Sequence, residues 1–275
     1  MPDGTATRKS KHDRNTMQTV LFHSTVFGPI HSRRLGVSLG INLMPNDGKI
    51  CSFDCLYCEA GFNAQGPGKD RIPTRDAVKH QLHKKLRQMS EAGEPLDVIT
   101  FSGNGEPTLH PEFKGIVADV LRLRTQFYPD AKVSVLSNST MAARPDVRQA
   151  LLTVDNNILK LDSAVAATMR ALNRPASPEV RPDTIIHNLA AFGGQCIVQT
   201  MLLRGEWEGT AIDNTTDTEV EALIDAYRTI APREVMLYSI DRTTPAKNLQ
   251  KVDIDTLRAI ARRITEATGI PVQVN

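Results

Sequence analysis

The chain has 275 residues, of which 40% are hydrophobic and 23% are charged, and its formal net charge is +2. A chain of this size can bury a full core as one large domain or two small ones. No apolar run approaches the roughly 18 residues that a membrane-spanning helix needs, and the small net charge gives no argument for nucleic-acid binding by itself.

The N-terminal stretch is polar and basic, with the run Arg-Lys-Ser-Lys-His-Asp-Arg at residues 8–14. It lacks the apolar segment of a secretory signal and the amphipathic pattern of a transit peptide. We therefore expect residues 1–19 to be a disordered basic tail and residues 20–275 to form one domain. The expected location is the cytoplasm, where reducing conditions suit free thiolates.

From about residue 36 onward, short β-rich runs alternate with amphipathic helical patterns. Strands are predicted at residues 36–43, 97–101, 132–136, 158–161, 196–203 and 234–240, with a weaker seventh at 272–274. Several of these runs are almost entirely apolar, as strands buried on both faces are. Repeated β-α units imply parallel strands with right-handed crossovers. Six strong strands are too few for a closed eightfold barrel, so the prediction is an α/β fold, an open, partial (β/α)6 barrel of TIM type.

Three cysteines lie within eight residues after the first predicted strand, in the pattern Cys51-x3-Cys55-x2-Cys58. Three close thiolates can hold three irons of a cubane [4Fe–4S] cluster and leave the fourth iron open for chemistry. Three crowded cysteines cannot all form disulfides. A zinc site remains an alternative, although it requires a fourth Cys or His nearby. Cys196 stands alone in an apolar run and is interpreted as a small buried hydrophobe.

Polar residues follow the ends of the predicted strands, where parallel β/α folds carry their chemistry. The loop at residues 102–108 reads Ser-Gly-Asn-Gly-Glu-Pro-Thr and follows the second strand. Ser137 and Asn138 follow the third strand, and the fourth contains Lys160 and ends at Asp162. Such loops also supply helix caps, which is the alternative interpretation. A lysine inside an apolar strand, however, needs a buried partner or an anionic ligand.

These residues resemble the radical S-adenosylmethionine (radical SAM) superfamily. The cysteine run, with Tyr57 just before the last cysteine, is similar to the cluster motif of that superfamily. Asn104-Gly105-Glu106 resembles its Gly-Gly-Glu motif, with Asn104 in place of the first glycine.

A finer resemblance covers roughly residues 20–250. It is to stand-alone iron–sulfur oxidoreductases related to the wyosine-forming tRNA enzymes. The residues that carry it are 26–40, the loop at 102–108, Lys160-Leu161-Asp162 and Asn173-Arg174-Pro175.

The resemblance implies a radical SAM enzyme whose cofactors are a [4Fe–4S] cluster and S-adenosylmethionine (SAM). Cys51, Cys55 and Cys58 would hold the cluster, and an electron from flavodoxin or ferredoxin would drive cleavage of SAM to methionine and a 5′-deoxyadenosyl radical. That radical would abstract hydrogen from a small molecule or an RNA nucleoside. The implied SAM contacts are Tyr57 to the adenine, Gly105 and Glu106 to the methionine amino group, Ser137 and Asn138 to the ribose or carboxylate, and Lys160 with Asp162 to the carboxylate.

Several alternatives stay open at this point. Lys160 can equally form a structural ion pair with Asp162 or Glu106. The chain can be a glycyl-radical enzyme activase acting on a partner protein, or a non-catalytic iron–sulfur or zinc protein. Arg33 and Arg34 can bind an anionic substrate or a surface carboxylate, and Tyr238 is a candidate for substrate contact.

Overall fold

The computed structural model describes residues 20–32 and 36–275. The predicted tail at residues 1–19 lies outside the described residues, and so do Arg33 and Arg34. Within the described part of the chain, no helix combines the length and apolarity that crossing a bilayer requires.

Eleven strands are present in the described residues. They are β1 (Val26–Ser32), β2 (Gly36–Ile41), β3 (Val98–Phe101), β4 (Lys132–Ser137), β5 (Asn156–Lys160), β6 (Ile197–Met201), β7 (Leu203–Trp207), β8 (Thr210–Asp213), β9 (Glu234–Tyr238), β10 (Leu249–Lys251) and β11 (Val272–Val274). Eight of them form one sheet in the order β1-β2-β3-β4-β5-β6-β9-β11. All neighbours in this sheet are parallel except β1, which pairs antiparallel with β2 at one edge.

The prediction of an open, partial barrel of parallel strands is confirmed, because β1 and β11 are the two ends of the strand order. Seven helices connect the strands in the described residues. They are α1 (Arg75–Glu91), α2 (Phe113–Phe127), α3 (Pro145–Leu151), α4 (Ala166–Asn173), α5 (Pro182–Ala190), α6 (Asp217–Ile230) and α7 (Ile254–Thr268). Side chains of Thr74, Thr216 and Asp253 cap α1, α6 and α7 by accepting hydrogen bonds from backbone amides of the first turn.

The two faces of the sheet differ in character. One face contributes Val135, Leu159 and Val198 to the main apolar core, which also contains the buried stripes of the helices. The opposite, concave face carries a small apolar layer of Ile158, Ile197 and Met236. Lys160 of β5 and Gln199 of β6 lie in register with each other and with Met236, one step nearer the carboxyl ends of the strands than Ile158 and Ile197. Polar side chains also lie nearer the amino ends of this face, where Ser38 bonds Thr100 and Asn156 bonds Ser134.

Two parts of the fold differ from the prediction. The predicted fifth strand, residues 196–203, is divided into β6 and the start of β7, because the chain leaves the main sheet there. β7 pairs with β8 and β10 in a separate three-stranded sheet. β1 was not predicted, and it packs Phe27 over β2 at Gly40, where an added Cβ would lie 2.1 Å from the Phe27 ring.

Candidate metal and cofactor site

The cysteine loop and the glycine–glutamate loop are joined by main-chain hydrogen bonds. The Ile50 amide donates to the Asn104 carbonyl at 3.1 Å, and the Glu106 amide donates to the Ile50 carbonyl at 3.0 Å. Gly105, between them, has φ +141°, and a Cβ there would lie 1.9 Å from the Ile50 carbonyl oxygen. Only glycine permits this close approach. The pairing places Glu106 beside the loop that starts at Cys51.

Asn104, where the superfamily motif has a glycine, has a tethering role in this chain. Its side chain is fully buried. Its Oδ1 accepts from the Phe22 amide at 2.8 Å, and its Nδ2 donates to the carbonyls of Phe22 at 2.9 Å and Pro45 at 2.8 Å. The amide thus binds the N-terminal segment and the stretch before the cysteines to the glycine–glutamate loop.

Glu106 is buried at the carboxyl ends of β3 and β4 and is held by protein donors. Its Oε1 accepts from the Thr108 amide at 3.0 Å and from Ser137 Oγ at 2.9 Å. Its Oε2 accepts from the Asn138 amide at 2.6 Å. Burial raises the pKa of Glu106, and these hydrogen bonds oppose the rise. The structure therefore brings Glu106, Ser137 and Asn138 together at one end of the sheet.

Two of the three cysteine sulfurs accept hydrogen bonds from asparagine amides. Asn138 Nδ2 lies 3.5 Å from Cys51 Sγ, and Asn173 Nδ2 lies 3.4 Å from Cys55 Sγ. Burial raises the pKa of Cys51 to about 12 and that of Cys55 to about 11, with nearby negative charges adding to the effect. Without metal, both groups are therefore thiols at neutral pH.

Lys49 is a buried cation beside the cysteines that the sequence analysis missed. Its Nζ donates to the Gly61 carbonyl at 2.7 Å and lies 3.6 Å from Asp54 Oδ1. Burial acts to lower the pKa of Lys49, but attraction to the cysteine sulfurs in their thiolate form and to Asp54 outweighs burial and raises it. Its position two residues before Cys51 was the only signal in the sequence.

The end of α4 fixes the backbone of the cysteine loop. The Asp54 amide donates to the Asn173 carbonyl at 2.9 Å, and the Leu56 amide donates to the Leu172 carbonyl at 3.0 Å. Arg174 Nη1 lies 3.5 Å from Asp54 Oδ2. The Asn-Arg-Pro run noted in the sequence is thus part of the support of this loop.

Tyr57, Asp162 and Lys160 form a buried cluster on the other side of the loop. The Tyr57 hydroxyl donates to Asp162 Oδ2, which also accepts from Asn173 Nδ2 at 2.6 Å. Asp162 Oδ1 accepts from the Met201 amide at 2.8 Å and lies 3.5 Å from Lys160 Nζ. Burial and the Asp162 charge raise the pKa of Tyr57.

Lys160 also donates from Nζ to the Tyr238 hydroxyl at 2.7 Å, and its Nζ is 5.2 Å from the centroid of the Tyr57 ring. Burial acts to lower the pKa of Lys160, but Asp162 and Tyr238 outweigh it and raise the pKa. The ion pair of Lys160 with Asp162, one of the two alternatives for this lysine, is therefore present.

The residues around the cysteines fit an iron–sulfur cluster. In the residues that the structure describes, no three His, Cys, Asp or Glu side chains are arranged to hold one metal ion together. A cubane cluster sets a different requirement, because each thiolate binds its own iron. One loop carries the three thiols, two thiols accept amide hydrogen bonds, and the buried Lys49 lies nearby. Cys196 precedes β6 and lies at the opposite, amino ends of the strands.

Comparison with solved structures shows the same fold in proteins of low sequence identity. The Streptococcus suis protein SuiB bound to S-adenosylmethionine superimposes with a TM-score of 0.60 at 14% identity, over 86% of this chain and 50% of SuiB. TYW1 with a lysine-pyruvate adduct bound has a TM-score of 0.58 at 16% identity, over 83% of this chain and 73% of TYW1.

Sequence comparison shows the family. The radical SAM superfamily model matches residues 46–213. The UPF0026 protein slr1464 of Synechocystis sp. is 31% identical over an alignment of 280 positions. The alignment covers 90% of this chain and 95% of that protein. The GTPase Obg of Brachyspira hyodysenteriae is 25% identical over 95% of this chain, which spans only 36% of the length of that relative. The chain belongs to the radical SAM superfamily and, within it, to the UPF0026 proteins.

Membership in the superfamily confirms the predictions of an enzyme and of its cofactors, a [4Fe–4S] cluster and SAM. Radical SAM enzymes also need a reductant and a substrate.

Proposed function

We propose that the protein uses radical SAM chemistry to abstract a hydrogen atom from a small molecule or an RNA nucleoside, with Cys51, Cys55 and Cys58 as the cluster ligands. The observation that carries this proposal is the main-chain pairing of Ile50 with Gly105. It puts the cysteine loop and the Glu106 carboxylate side by side at the carboxyl ends of the strands. This is the edge at which parallel β/α enzymes carry their chemistry.

When bound, the cluster and SAM supply the one-electron chemistry, and the chain supplies binding, orientation and exclusion of water. Gly105 has no side chain, which lets Ile50 pair with it, and its main chain is proposed to lie beside the methionine amino group. Glu106 offers a carboxylate to the amino group of the methionine moiety, and Ser137 and Asn138 orient that carboxylate from β4. Tyr57 offers its backbone or its ring to the adenine.

The concave face supports a polar substrate or cofactor group near Lys160. Lys160, Gln199 and Tyr238 lie on neighbouring strands of this face. Gln199 is 7% exposed, and its side-chain amide offers two donor hydrogens and an acceptor to a polar ligand group on this face. Either Lys160 pairs with the SAM carboxylate and Asp162 orients it, or the two residues form a structural ion pair beside the substrate.

The proposed electron donor is a flavodoxin or a ferredoxin. A strongly reducing, one-electron donor protein matches the demand of a low-potential cluster.

The test is anaerobic reconstitution of the whole chain with iron and sulfide, followed by reduction, addition of SAM and measurement of 5′-deoxyadenosine. We expect product from the unmodified protein and none from Cys55→Ala, because that variant lacks a cluster ligand. Cys196→Ala is the matched control and should keep both iron and activity, since Cys196 lies at the amino ends of the strands. A fully loaded cluster that yields no 5′-deoxyadenosine would refute the proposal.

A further inference from the structure

Two asparagine side chains from different parts of the fold contact the cysteine sulfurs. Asn138 follows β4 and donates from Nδ2 to Cys51 Sγ at 3.5 Å. Asn173 is the last residue of α4 and donates from Nδ2 to Cys55 Sγ at 3.4 Å. Both side chains are almost completely buried, with exposures of 7% and 1%. Burial keeps water from competing for these sulfurs.

The network around each asparagine fixes which end of the amide faces the sulfur. Asn138 Oδ1 accepts from the Thr140 amide at 3.0 Å and from its hydroxyl at 2.7 Å, so the NH2 group must point toward Cys51. Asn173 Nδ2 also donates to Asp162 Oδ2 at 2.6 Å, and a carboxylate oxygen accepts only from the NH2 end.

Each asparagine also connects its cysteine to one carboxylate of the site. The backbone amide of Asn138 donates to Glu106 Oε2 at 2.6 Å, while the side-chain amide of the same residue donates to Cys51 Sγ. The Asn173 side chain contacts Asp162 and Cys55 with the same NH2 group. The two connections, Glu106–Asn138–Cys51 and Asp162–Asn173–Cys55, enclose the cysteine loop.

We propose that Asn138 and Asn173 are positioning residues that raise the reduction potential of the cluster through N–H···S hydrogen bonds to Cys51 and Cys55. The inference rests on the proposed function, in which these cysteines are cluster ligands. A donor near a thiolate stabilises negative charge, and the reduced cluster carries one more negative charge than the oxidised cluster. Hydrogen bonds to the sulfurs are among the established determinants of cluster potential. Because Asn138 is shared with Glu106, occupancy of the SAM site alters the Cys51 contact and thereby the potential.

The test is an EPR-monitored redox titration of the reconstituted, full-length protein and of Asn138→Ala and Asn173→Ala. Each substitution should shift the potential to a more negative value, and Asn138→Ala should also reduce the shift that SAM causes. The matched control is Asn63→Ala, because Asn63 Nδ2 donates to the backbone carbonyls of Cys51 at 3.2 Å and Phe53 at 3.1 Å but to no sulfur. Unchanged potentials in both variants at full iron content, or an equal shift in the control, would overturn the inference.

A second measurement needs no substitution and covers variants that fold or load poorly. Selective 15N labelling of asparagine should give electron–nuclear couplings to the reduced cluster of the unmodified protein, and their absence would also overturn the inference. The two proposals fail in different ways. A protein that loads no cluster or cleaves no SAM refutes the proposed function, whereas a loaded, active protein without these shifts refutes only the role of the asparagines.

Discussion

The main chain of Ile50, the residue before the first cysteine, pairs in parallel with that of Gly105 in the loop after β3. The pairing joins two motifs that are far apart in the sequence and keeps the Glu106 amide at 3.0 Å from the Ile50 carbonyl. The geometry of the whole site therefore depends on a position that has no side chain.

Gly105→Ala should disrupt this pairing. The added Cβ would lie 1.9 Å from the Ile50 carbonyl oxygen, at a backbone φ of +141°. We expect loss of most cluster iron and a fall of about 2–4 kcal/mol in the free energy of unfolding, since backbone strain and a broken pairing combine. Iron and sulfide content per chain and urea unfolding measure both effects.

Gly93→Ala is the control for backbone strain alone, because Gly93 has φ +67° and nothing lies within 4 Å of an added Cβ. Gly93→Ala should lower the free energy of unfolding by about 1 kcal/mol and leave the iron content of the cluster unchanged. Equal cluster loss in the two variants would show that the contact with Ile50 is unimportant.

The metal-free protein should lose stability at alkaline pH because of its buried thiols. Burial raises the pKa of Cys51 to about 12 and that of Cys55 to about 11. A cysteine thiol in the unfolded chain has a pKa of about 8.5. Between these values the unfolded chain has released protons that the folded chain retains, so the free energy of unfolding falls as pH rises. Each thiol contributes up to about 1.4 kcal/mol per pH unit.

Urea unfolding of the metal-free protein at pH 8 and pH 10 measures this effect. The double variant Cys51→Ala/Cys55→Ala should show a shallower decline than the unmodified protein. A decline of the same slope in both would assign the pH dependence to other groups.

Removing both partners of the Lys160–Asp162 pair should lower the free energy of unfolding by less than the sum of the two single removals. Asp162→Asn leaves a buried ammonium without its carboxylate and should lower the free energy of unfolding by about 3–5 kcal/mol. Lys160→Met should cost less, because Asp162 still accepts from Tyr57, Asn173 and the Met201 amide. The double variant Lys160→Met/Asp162→Asn should be more stable than the sum of the single effects predicts.

Chemical unfolding of the four proteins in this double-mutant cycle gives the coupling energy. Lys251→Met, which breaks an exposed ion pair with Asp241, is the control and should change stability by less than about 1 kcal/mol. A coupling energy near zero between Lys160 and Asp162 would contradict the buried pair.

Asn104→Gly restores the glycine of the superfamily motif and should release the N-terminal segment. The Phe22 amide loses its acceptor, and the carbonyls of Phe22 and Pro45 lose their donor. Hydrogen exchange at the Phe22 amide should become faster by about tenfold or more, the equivalent of about 1.4 kcal/mol. Asn157→Ala is the control, since it removes two buried hydrogen bonds, to the carbonyls of Leu151 and Gln195, and should not selectively accelerate the Phe22 amide.

The sequence predicted the main sheet because the strands are buried apolar runs, as in Val98–Phe101 and Glu234–Tyr238. It did not predict β1, whose Gly28-Pro29 pair is typical of a turn rather than a strand. It also missed the three-stranded sheet, because the hairpin strands β7 and β8 are short and contain polar residues, and β10 pairs with β7 from far along the chain. Such non-local pairing leaves no periodic signal in either segment.

The candidate site was predictable to the extent that it follows from spacing. The cysteine pattern and the position of Glu106 after a strand are local features of the sequence. The contact of Asn173 with Cys55 joins residues 118 positions apart, so only the folded chain reveals it. Ser137 and Asn138 were expected near the cofactor. Their hydrogen bonds to Glu106 and Cys51 depend on how the strands and loops come together, so the sequence alone did not reveal them.

The support of the cysteine loop by the end of α4 has a consequence for cluster assembly. The loop backbone is fixed by bonds to Leu172 and Asn173 and by the buried Lys49, and all of these contacts are made within the protein. We therefore expect iron and sulfide to enter a loop whose backbone is already held by the rest of the chain, so that assembly needs little rearrangement of the fold.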